Sequence, residues 1–209
     1  MIGDVTRSNT SDGRILARLP VREAARRIGL LPQSAQAPDG LTVADLVRFG
    51  RQPHQGLLRQ WSPRDQQAVD RALAATSMTA LAGRPLETLS GGQRQRAWIA
   101  MTVAQETPVL LLDEPTSALD LGHQIEVFEL QRELTAVGRT VVVVVHDLVL
   151  ACRYADHFVA MQAGRVVAEG TPHETVTPEL IRRLCGVEAD VLRDPETDGP
   201  LVVPRGLAR

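Results

Sequence analysis

Two short runs of aliphatic residues constrain the fold of this chain more than any other feature. Residues 109–112 are four large aliphatic side chains in a row, and residues 140–145 are nearly all valine. A run of this length without polar alternation predicts a strand buried on both faces, which is typical of parallel sheets covered by helices. We therefore expect an α/β fold with a parallel sheet and flanking helices.

Chemically active residues follow both runs. Asp113 and Glu114 come directly after the first run, and His146 comes directly after the second. In open α/β sheets the ligand crevice lies at the carboxyl ends of the strands. Two carboxylates at such an edge suit Mg²⁺ binding and general-base work beside a nucleotide, and a histidine there points into the same crevice.

A small-residue turn, Leu89-Ser90-Gly91-Gly92-Gln93, precedes a predicted helix over residues 94–105. A helix start exposes unpaired N–H groups and the positive end of the helix dipole, so it attracts phosphate. The two glycines allow a ligand to approach the backbone closely, and the serine adds a hydroxyl donor. The turn therefore predicts a phosphate-binding helix start.

These segments together resemble the ATPase subunits of ATP-binding-cassette (ABC) transporters. The resemblance rests on LSGGQRQR, on LLLDEPTSALD and on the valine-rich strand before His146-Asp147, and it covers residues 24–168. It implies a P-loop NTPase-like ABC ATPase core with a parallel sheet and flanking helices. It also implies one cassette domain over residues 1–209, with an α-helical signature subdomain at 40–105 and a helix-and-hairpin extension at 171–209.

The resemblance assigns a role to each candidate site residue, with ATP and Mg²⁺ as cofactors. Catalytic roles fall to Glu114, which would polarise the attacking water, and to His146, which would stabilise the γ-phosphate. Metal-binding roles fall to Asp113, acting through water, and to Gln33, which resembles the family's Q-loop glutamine. The nucleotide-binding set implied by the family is Gln33, Ser90, Gly91, Gly92, Gln93 and, in the D-loop, Asp120.

One departure from the family is the complete absence of lysine, because all 23 basic residues are arginine. A P-loop needs its lysine to reach the β- and γ-phosphates. Gly3-Asp4-Val5 and Asp12-Gly13-Arg14 resemble segments that follow the P-loop helix in the family. We therefore expect an N-terminally truncated cassette without the Walker A region, which does not hold ATP as a homodimer and is poorly stable or prone to aggregation.

Composition and family together predict the partners. A net charge of −2 without a basic stripe excludes a nucleic-acid footprint, and no apolar run approaches the ~20 residues needed to span a bilayer. The family implies a head-to-tail dimer with a second ABC ATPase subunit, transmembrane permease subunits and, indirectly, a substrate-binding protein. The implied location is cytoplasmic, peripheral on the inner face of the cell membrane.

The two cysteines have no CxxC spacing, which argues against a metal or redox motif. Cys152 and Cys185 are separated by more than thirty residues. We expect free, buried or half-buried thiols in a reducing compartment.

Several functions remain open on the sequence alone. The segments ARRIGLLPQ, GRQPHQ and ACRYADH are similar to segments of importer ATPases for ferric siderophores, with haem and cobalamin importers as close relatives. A second possibility is a non-catalytic partner that lends only its signature turn to an intact subunit. A third is a non-transport ATPase of DNA repair or translation, which is disfavoured because the chain has no long heptad pattern, tandem cassette or basic patch.

Overall fold

The computed structural model describes residues 10–11, 14–15, 18–56 and 61–208. The chain divides into two compact units, Met1–Val144 and Val145–Arg209. Gly3-Asp4-Val5 and Asp12-Gly13 lie outside the described residues. The strands on either side of the latter pair, Thr10–Ser11 (β1) and Arg14–Ile15 (β2), are antiparallel partners.

After this short antiparallel pair the first unit combines helices and strands, with three α-helices in succession between its first two parallel strands. Its helices are Val21–Arg27 (α1), Val43–Phe49 (α2), Pro63–Ala75 (α3), Gly91–Ala104 (α4) and Leu121–Ala136 (α5), and its remaining strands are Ile28–Leu31 (β3), Val109–Asp113 (β4) and Thr140–Val144 (β5). Single 3-10 turns lie at Gln52–His54, Thr79–Leu81 and Leu86–Thr88.

A three-stranded parallel sheet in the order β3-β4-β5 forms the centre of this unit. Leu30 lies beside Leu111 of β4, which in turn lies beside Val142 of β5. The predicted α/β class, a parallel sheet with flanking helices, is confirmed. The carboxyl ends of all three strands meet at one edge, as parallel pairing requires.

One face of the sheet carries the main hydrophobic core. Leu31, Leu110 and Leu112 are buried among residues of α2, α3 and α4, and Val141 and Val143 pack against the same cluster. The helices α2, α3 and α4 pack on one another. The helical subdomain boundary at residues 40–105 stays a prediction.

The expectation that β5 is buried on both faces is wrong. Val142 is 50% exposed and Val144 is 52% exposed, and Leu30 on the same face of the sheet is 56% exposed. Aliphatic side chains indicate that a strand suits a buried position, but they do not supply the element that covers it. Among the described residues β5 pairs only with β4, so it forms an edge of this sheet.

Thr42-x-x-Asp45 and Ser62-Pro63-x-Asp65 in the sequence predict two capped helix starts, and the structure confirms both. Thr42 caps α2 and Ser62 caps α3, each through a reciprocal capping box with the aspartate three residues on, Asp45 and Asp65. Such boxes satisfy backbone N–H groups that would otherwise lack partners. Ser62 with Pro63 at the first helical position confirms the predicted start of α3.

The second unit consists of three helices and two hairpins. Its elements are Leu148–Tyr154 (α6), Phe158–Gln162 (β6), Arg165–Gly170 (β7), Pro172–Thr175 (α7), Pro178–Cys185 (α8), Val187–Arg193 (β8) and Pro200–Leu207 (β9). The hairpin predicted within residues 171–209 is present as β8 with β9, and β6 with β7 form a second hairpin. The single helix expected after Thr171 is instead two helices, because Thr177 caps a new start in which Pro178 needs no N–H partner.

No helix in the described part of the chain combines the length and the apolar character needed to cross a membrane.

The exposed sheet face predicts a solubility effect that separates two neighbouring valines. Val142→Thr keeps a β-branched side chain on the exposed face, so we expect a change in the free energy of unfolding below about 0.5 kcal/mol and slower aggregation. Val143→Thr places a hydroxyl against the core, so we expect a loss of about 1–2 kcal/mol. Urea denaturation and light scattering measure the two effects, and equal behaviour of the two variants would contradict this assignment of faces.

The two cysteines predict different thiol reactivity. Both are free; Cys152 is buried, whereas Cys185 is exposed rather than half-buried. Burial, with a smaller contribution from Asp147, raises the pKa of the Cys152 thiol to about 11, which suppresses the reactive thiolate. At pH 8 we expect Ellman's reagent to titrate one thiol in the native protein and two after unfolding. The Cys185→Ser variant should show none until it unfolds; rapid native reaction of that variant would refute the prediction.

Candidate functional site

Three predicted site residues lie at the carboxyl edge of the parallel sheet. Gln33 is exposed, two residues after β3, and Asp113 is the last residue of β4. Asp113 lies opposite Val144 in the strand register, and Glu114 follows it. Because the strands are parallel and adjacent, these three side chains belong to one edge, where α/β folds bind ligands.

The backbone holds Glu114 in an unusual conformation. Its φ of +47° lies in the left-handed region, which is uncommon for any residue other than glycine. Its N–H donates to the carbonyl of Val144 at 3.0 Å, and its own carbonyl accepts from the Ser117 hydroxyl at 3.2 Å. Residues held in this way cluster at active sites, so the strain is a second indication that this edge is functional.

The donor chemistry of this edge fits Mg²⁺. Asp113 and Glu114 offer two carboxylates, and Gln33 adds an amide oxygen. Mg²⁺ is usually held by one or two carboxylates together with substrate phosphates and water, rather than by a full protein cage. The described residues contain no cluster of three or more histidine, cysteine or acidic side chains placed to hold a metal by themselves.

The signature turn is preformed by its own hydrogen bonds. The Ser90 hydroxyl accepts from the Gln93 N–H at 3.2 Å, while the Ser90 N–H donates to the Gln93 side-chain oxygen at 3.1 Å. This capping box starts α4, and Ser90 remains exposed. The hydroxyl acts here as an acceptor, so its proton is still available to a ligand.

The two glycines of the turn have different neighbours. A Cβ added at Gly92 would lie 3.2 Å from the Cδ2 atom of Leu119 and 3.4 Å from the carbonyl oxygen of Ala118. A Cβ added at Gly91 would meet nothing within 4 Å. Gly92 is therefore explained by close packing inside this unit, whereas the packing of this chain leaves Gly91 unexplained.

Asp120 follows this packed turn and caps α5. Its carboxylate accepts from the His123 N–H at 3.0 Å and lies 2.8 Å from the His123 ring Nδ1. Hydrogen bonds from His123 hold the pKa of Asp120 below its ordinary value, so it is an exposed carboxylate at neutral pH. Helix capping accounts for its position, and its D-loop role stays a prediction.

His146 belongs to the second unit and is exposed there, two residues beyond the end of β5. The structure thus groups Gln33, Asp113 and Glu114 at one sheet edge, and it packs the signature turn against the residues that precede Asp120.

Sequence reasoning missed the buried charge of Arg51. In the sequence, the GRQPHQ segment indicates only a class of importer, yet Arg51 is only 1% exposed and ion-paired with Asp65, which is 0% exposed. The available signal was the aspartate at the third position of the α3 capping box, but nothing in the sequence indicates that an arginine pairs with it.

The contrast between the two glycines predicts opposite effects of the same substitution. Gly91→Ala adds a methyl group in open space at a helix start, so we expect the free energy of unfolding to rise by about 0.4–1 kcal/mol. Gly92→Ala pushes against the buried Leu119, so we expect a loss of about 1 kcal/mol. Thermal and urea unfolding measure both, and an equal gain in the two variants would contradict the packing described.

Comparisons with known proteins agree with this geometry. A family model described as ABC transporter matches residues 5–117, more than half of the chain. The chain is 51% identical over 196 residues to the ferric enterobactin transport ATP-binding protein FepC of Escherichia coli (strain K12), covering 93% of this chain and 72% of that protein. It is 50% identical over 199 residues to the petrobactin import ATP-binding protein FpuD of Bacillus anthracis, covering 95% and 73%.

A solved structure supports the same assignment. The dimeric post-hydrolysis state of the ATP-binding cassette MJ0796, bound to ADP and Pi, matches with a TM-score of 0.68 and 26% identity. The match covers 77% of this chain and 71% of that chain. The chain belongs to the ATP-binding proteins of the ABC transporter family.

Proposed function

We propose that this protein is the ATP-hydrolysing subunit that energises an importer for ferric siderophores. The observation that carries the proposal is the combination, in one compact unit, of an exposed preformed signature turn with Asp113 and the strained Glu114 at a parallel-strand edge. The names of the two relatives, for enterobactin and petrobactin transport, support the cargo class.

The sheet-edge residues would serve phosphoryl transfer to water. Asp113 and Gln33 would hold Mg²⁺, which when bound neutralises charge on the β- and γ-phosphates. Glu114 would accept a hydrogen bond from the attacking water and take its proton. For His146, which belongs to the second unit, the family resemblance alone implies a hydrogen bond to the γ-phosphate oxygens. The fixed backbone of Glu114 supports this role, because a positioned carboxylate needs no reorganisation as charge develops.

The signature turn would act on a nucleotide held by a second subunit. Ser90 and Gly91 are exposed, and the first N–H groups of α4 are ready donors for phosphate. Gly91 has open space around it, which suits close approach of a ligand to the backbone. This supports a head-to-tail dimer in which Ser90, Gly91, Gly92 and Gln93 cap the ATP of the partner, with Asp120 at the dimer interface.

The remaining partners follow from the importer class. Transmembrane permease subunits would receive the motion of the dimer, and a substrate-binding protein would deliver the siderophore to them. The subunit would then lie on the cytoplasmic face of the cell membrane, held there by the permease.

A second candidate function uses only one half of the site. The signature turn is complete and exposed in this chain, so it would suffice for a non-catalytic subunit that lends it to an intact partner. In that case Glu114 would be dispensable, whereas access to Gly91 would remain essential.

Uptake of radioactive iron supplied as a ferric siderophore tests the proposal and separates the two candidates. Host cells lacking this chain are complemented with wild type, Glu114→Gln or Gly91→Arg, with Glu129→Gln as the control at an exposed position of α5. We expect uptake to fall to background with Glu114→Gln, because loss of a general base costs about 100-fold or more in turnover. Gly91→Arg should abolish uptake too, since the arginine side chain has open space in the free chain but would occupy the space of the bound nucleotide.

The outcomes distinguish the alternatives. Uptake that survives Glu114→Gln but not Gly91→Arg would assign the signature-lending role. If cells lacking this chain lose haem or cobalamin uptake but keep siderophore uptake, the siderophore assignment is wrong. Cells whose uptake of all three is independent of the chain would refute the importer function, and normal uptake with Glu129→Gln validates the comparison.

A further inference from the structure

The segment Gly50–Gln55, whose sequence GRQPHQ has no role in the proposed chemistry, lies against the far end of the signature helix, and its first two residues, Gly50 and Arg51, are buried. Arg51 is 1% exposed and is the largest fully buried side chain among the described residues. Its Nη1 atom donates to the carbonyl of Ala104 at 2.7 Å, in the last turn of α4. A cation that binds a terminal carbonyl satisfies an unpaired group and complements the helix dipole.

Arg51 also binds two carboxylates on different elements. Its Nε atom donates to Asp65 at 3.1 Å, in the first turn of α3, and its Nη1 atom donates to Glu106 at 2.9 Å. Glu106 in turn accepts from Arg71 at 2.8 Å. Burial alone would raise the pKa of Glu106, but the hydrogen bond from Arg71 and the charge of Arg51 leave it below its ordinary value.

The rest of the segment makes equally specific contacts. The ring Nε2 of His54 lies 2.7 Å from the carbonyl of Gln105, whose side-chain amide donates to the carbonyl of Ala25 in α1. A Cβ added at Gly50 would overlap the carbonyl oxygen of Met101 in α4. The segment therefore touches the end of α4 through backbone and side chain together. We call Gly50, Arg51, His54, Gln105 and Glu106 the joint.

Three of the predicted site segments connect to this joint, through α1, through α4 and through the residues that precede β4. Helix α1 runs directly into β3, which leads to Gln33, and Glu106 precedes β4, which leads to Asp113 and Glu114. Helix α4 reaches from the joint back to the signature turn. Gly29 allows β3 to pack closely against the residue that precedes Pro108 and β4, because a Cβ at Gly29 would lie 2.9 Å from the Thr107 hydroxyl.

The length of α4 turns a small rotation at the joint into a large displacement at the signature turn. The helix has 14 residues, so its two ends are about 21 Å apart, and a 5° rotation at one end moves the other by about 2 Å. Misplacement by about 1 Å costs a reaction of this kind about a hundredfold. The direction of α4 therefore has to be fixed closely, and the joint holds the end of α4 that leads into β4.

We propose that Arg51 is a positioning residue, and that the joint sets the direction of α4 relative to the strands that carry Gln33, Asp113 and Glu114. Arg51 does this by holding Ala104, Glu106 and Asp65 to one planar guanidinium group, a geometry that lysine does not reproduce. The inference rests on the proposed function, because in the proposed head-to-tail dimer the signature turn and the strand ends of one chain must contact their nucleotides at the same time.

A distance measurement tests the joint without nucleotide, cargo or partner. Cys152 and Cys185 are first replaced by serine, and nitroxide labels are then attached through Arg94→Cys and Thr140→Cys. Arg94 is exposed in the first turn of α4, and Thr140 is exposed at the start of β5. Pulsed electron–electron double resonance then gives the distribution of the distance between the two labels. We expect a narrow distribution in the otherwise native chain, and a shift or broadening of about 2 Å or more with Arg51→Lys.

Two further variants keep the test independent of general destabilisation. Gly50→Ala perturbs the joint by steric overlap and should also move the distance. Leu73→Ala opens a cavity in the same helical core, where Leu73 is 5% exposed, and should lower stability without moving the distance.

Unchanged distributions in both joint variants would overturn the proposal, as would an equal shift in Leu73→Ala. Because the readout needs no transport, failure of the importer assay would leave this result intact, and the reverse also holds.

Discussion

The pairing of β4 with a parallel neighbour on each side is the constraint on which the rest of the first unit depends. Parallel ladders place the carboxyl ends of all strands at one edge, so Gln33, Asp113 and Glu114 are neighbours by topology. The same pairing alternates β4 side chains, which sends Leu110 and Leu112 into the core under α4. The site and the core are therefore two consequences of one set of backbone hydrogen bonds.

Much of this architecture could be predicted from the sequence because the signals are local. Aliphatic runs predicted β4 and β5, and serine or threonine with an aspartate three residues on predicted the starts of α2 and α3. The helix predicted over residues 94–105 begins three residues earlier, at Gly91. The family resemblance supplied the candidate site residues, whose roles stay predictions. Each of these features depends on residues close together in the chain, where propensity and capping chemistry act directly.

What could not be predicted depends on residues distant in the chain. Val142 looks the same in sequence whether or not an element covers it, so its 50% exposure had no local sign. Gly91 and Gly92 are identical neighbours, yet only the latter is packed against Leu119, 27 positions away. Arg51 occupies a loop between polar residues, and its burial arises from partners contributed by α3 and by the end of α4.

The two ends of β4 show how local strain and distant contacts cooperate. Glu106 before the strand and Glu114 after it both have positive φ, +52° and +47°, at a cost of about 1–2 kcal/mol each. Each is held by groups from elsewhere: Glu106 by Arg51 and Arg71, Glu114 by Val144 and Ser117. Conformations of this cost persist only where the surroundings over-determine them.

Buried ion pairs contribute little net stability, since desolvation offsets their attraction, whereas they do specify geometry. Arg51 fits that description, because apolar side chains would fill its site without fixing an angle between α3, α4 and β4. In the proposed mechanism the strained carboxylate of Glu114, at the far end of β4, would need a fixed angle, because the attacking water and the phosphate would have to be in line. On this argument the charge network at one end of the strand exists for the chemistry at the other.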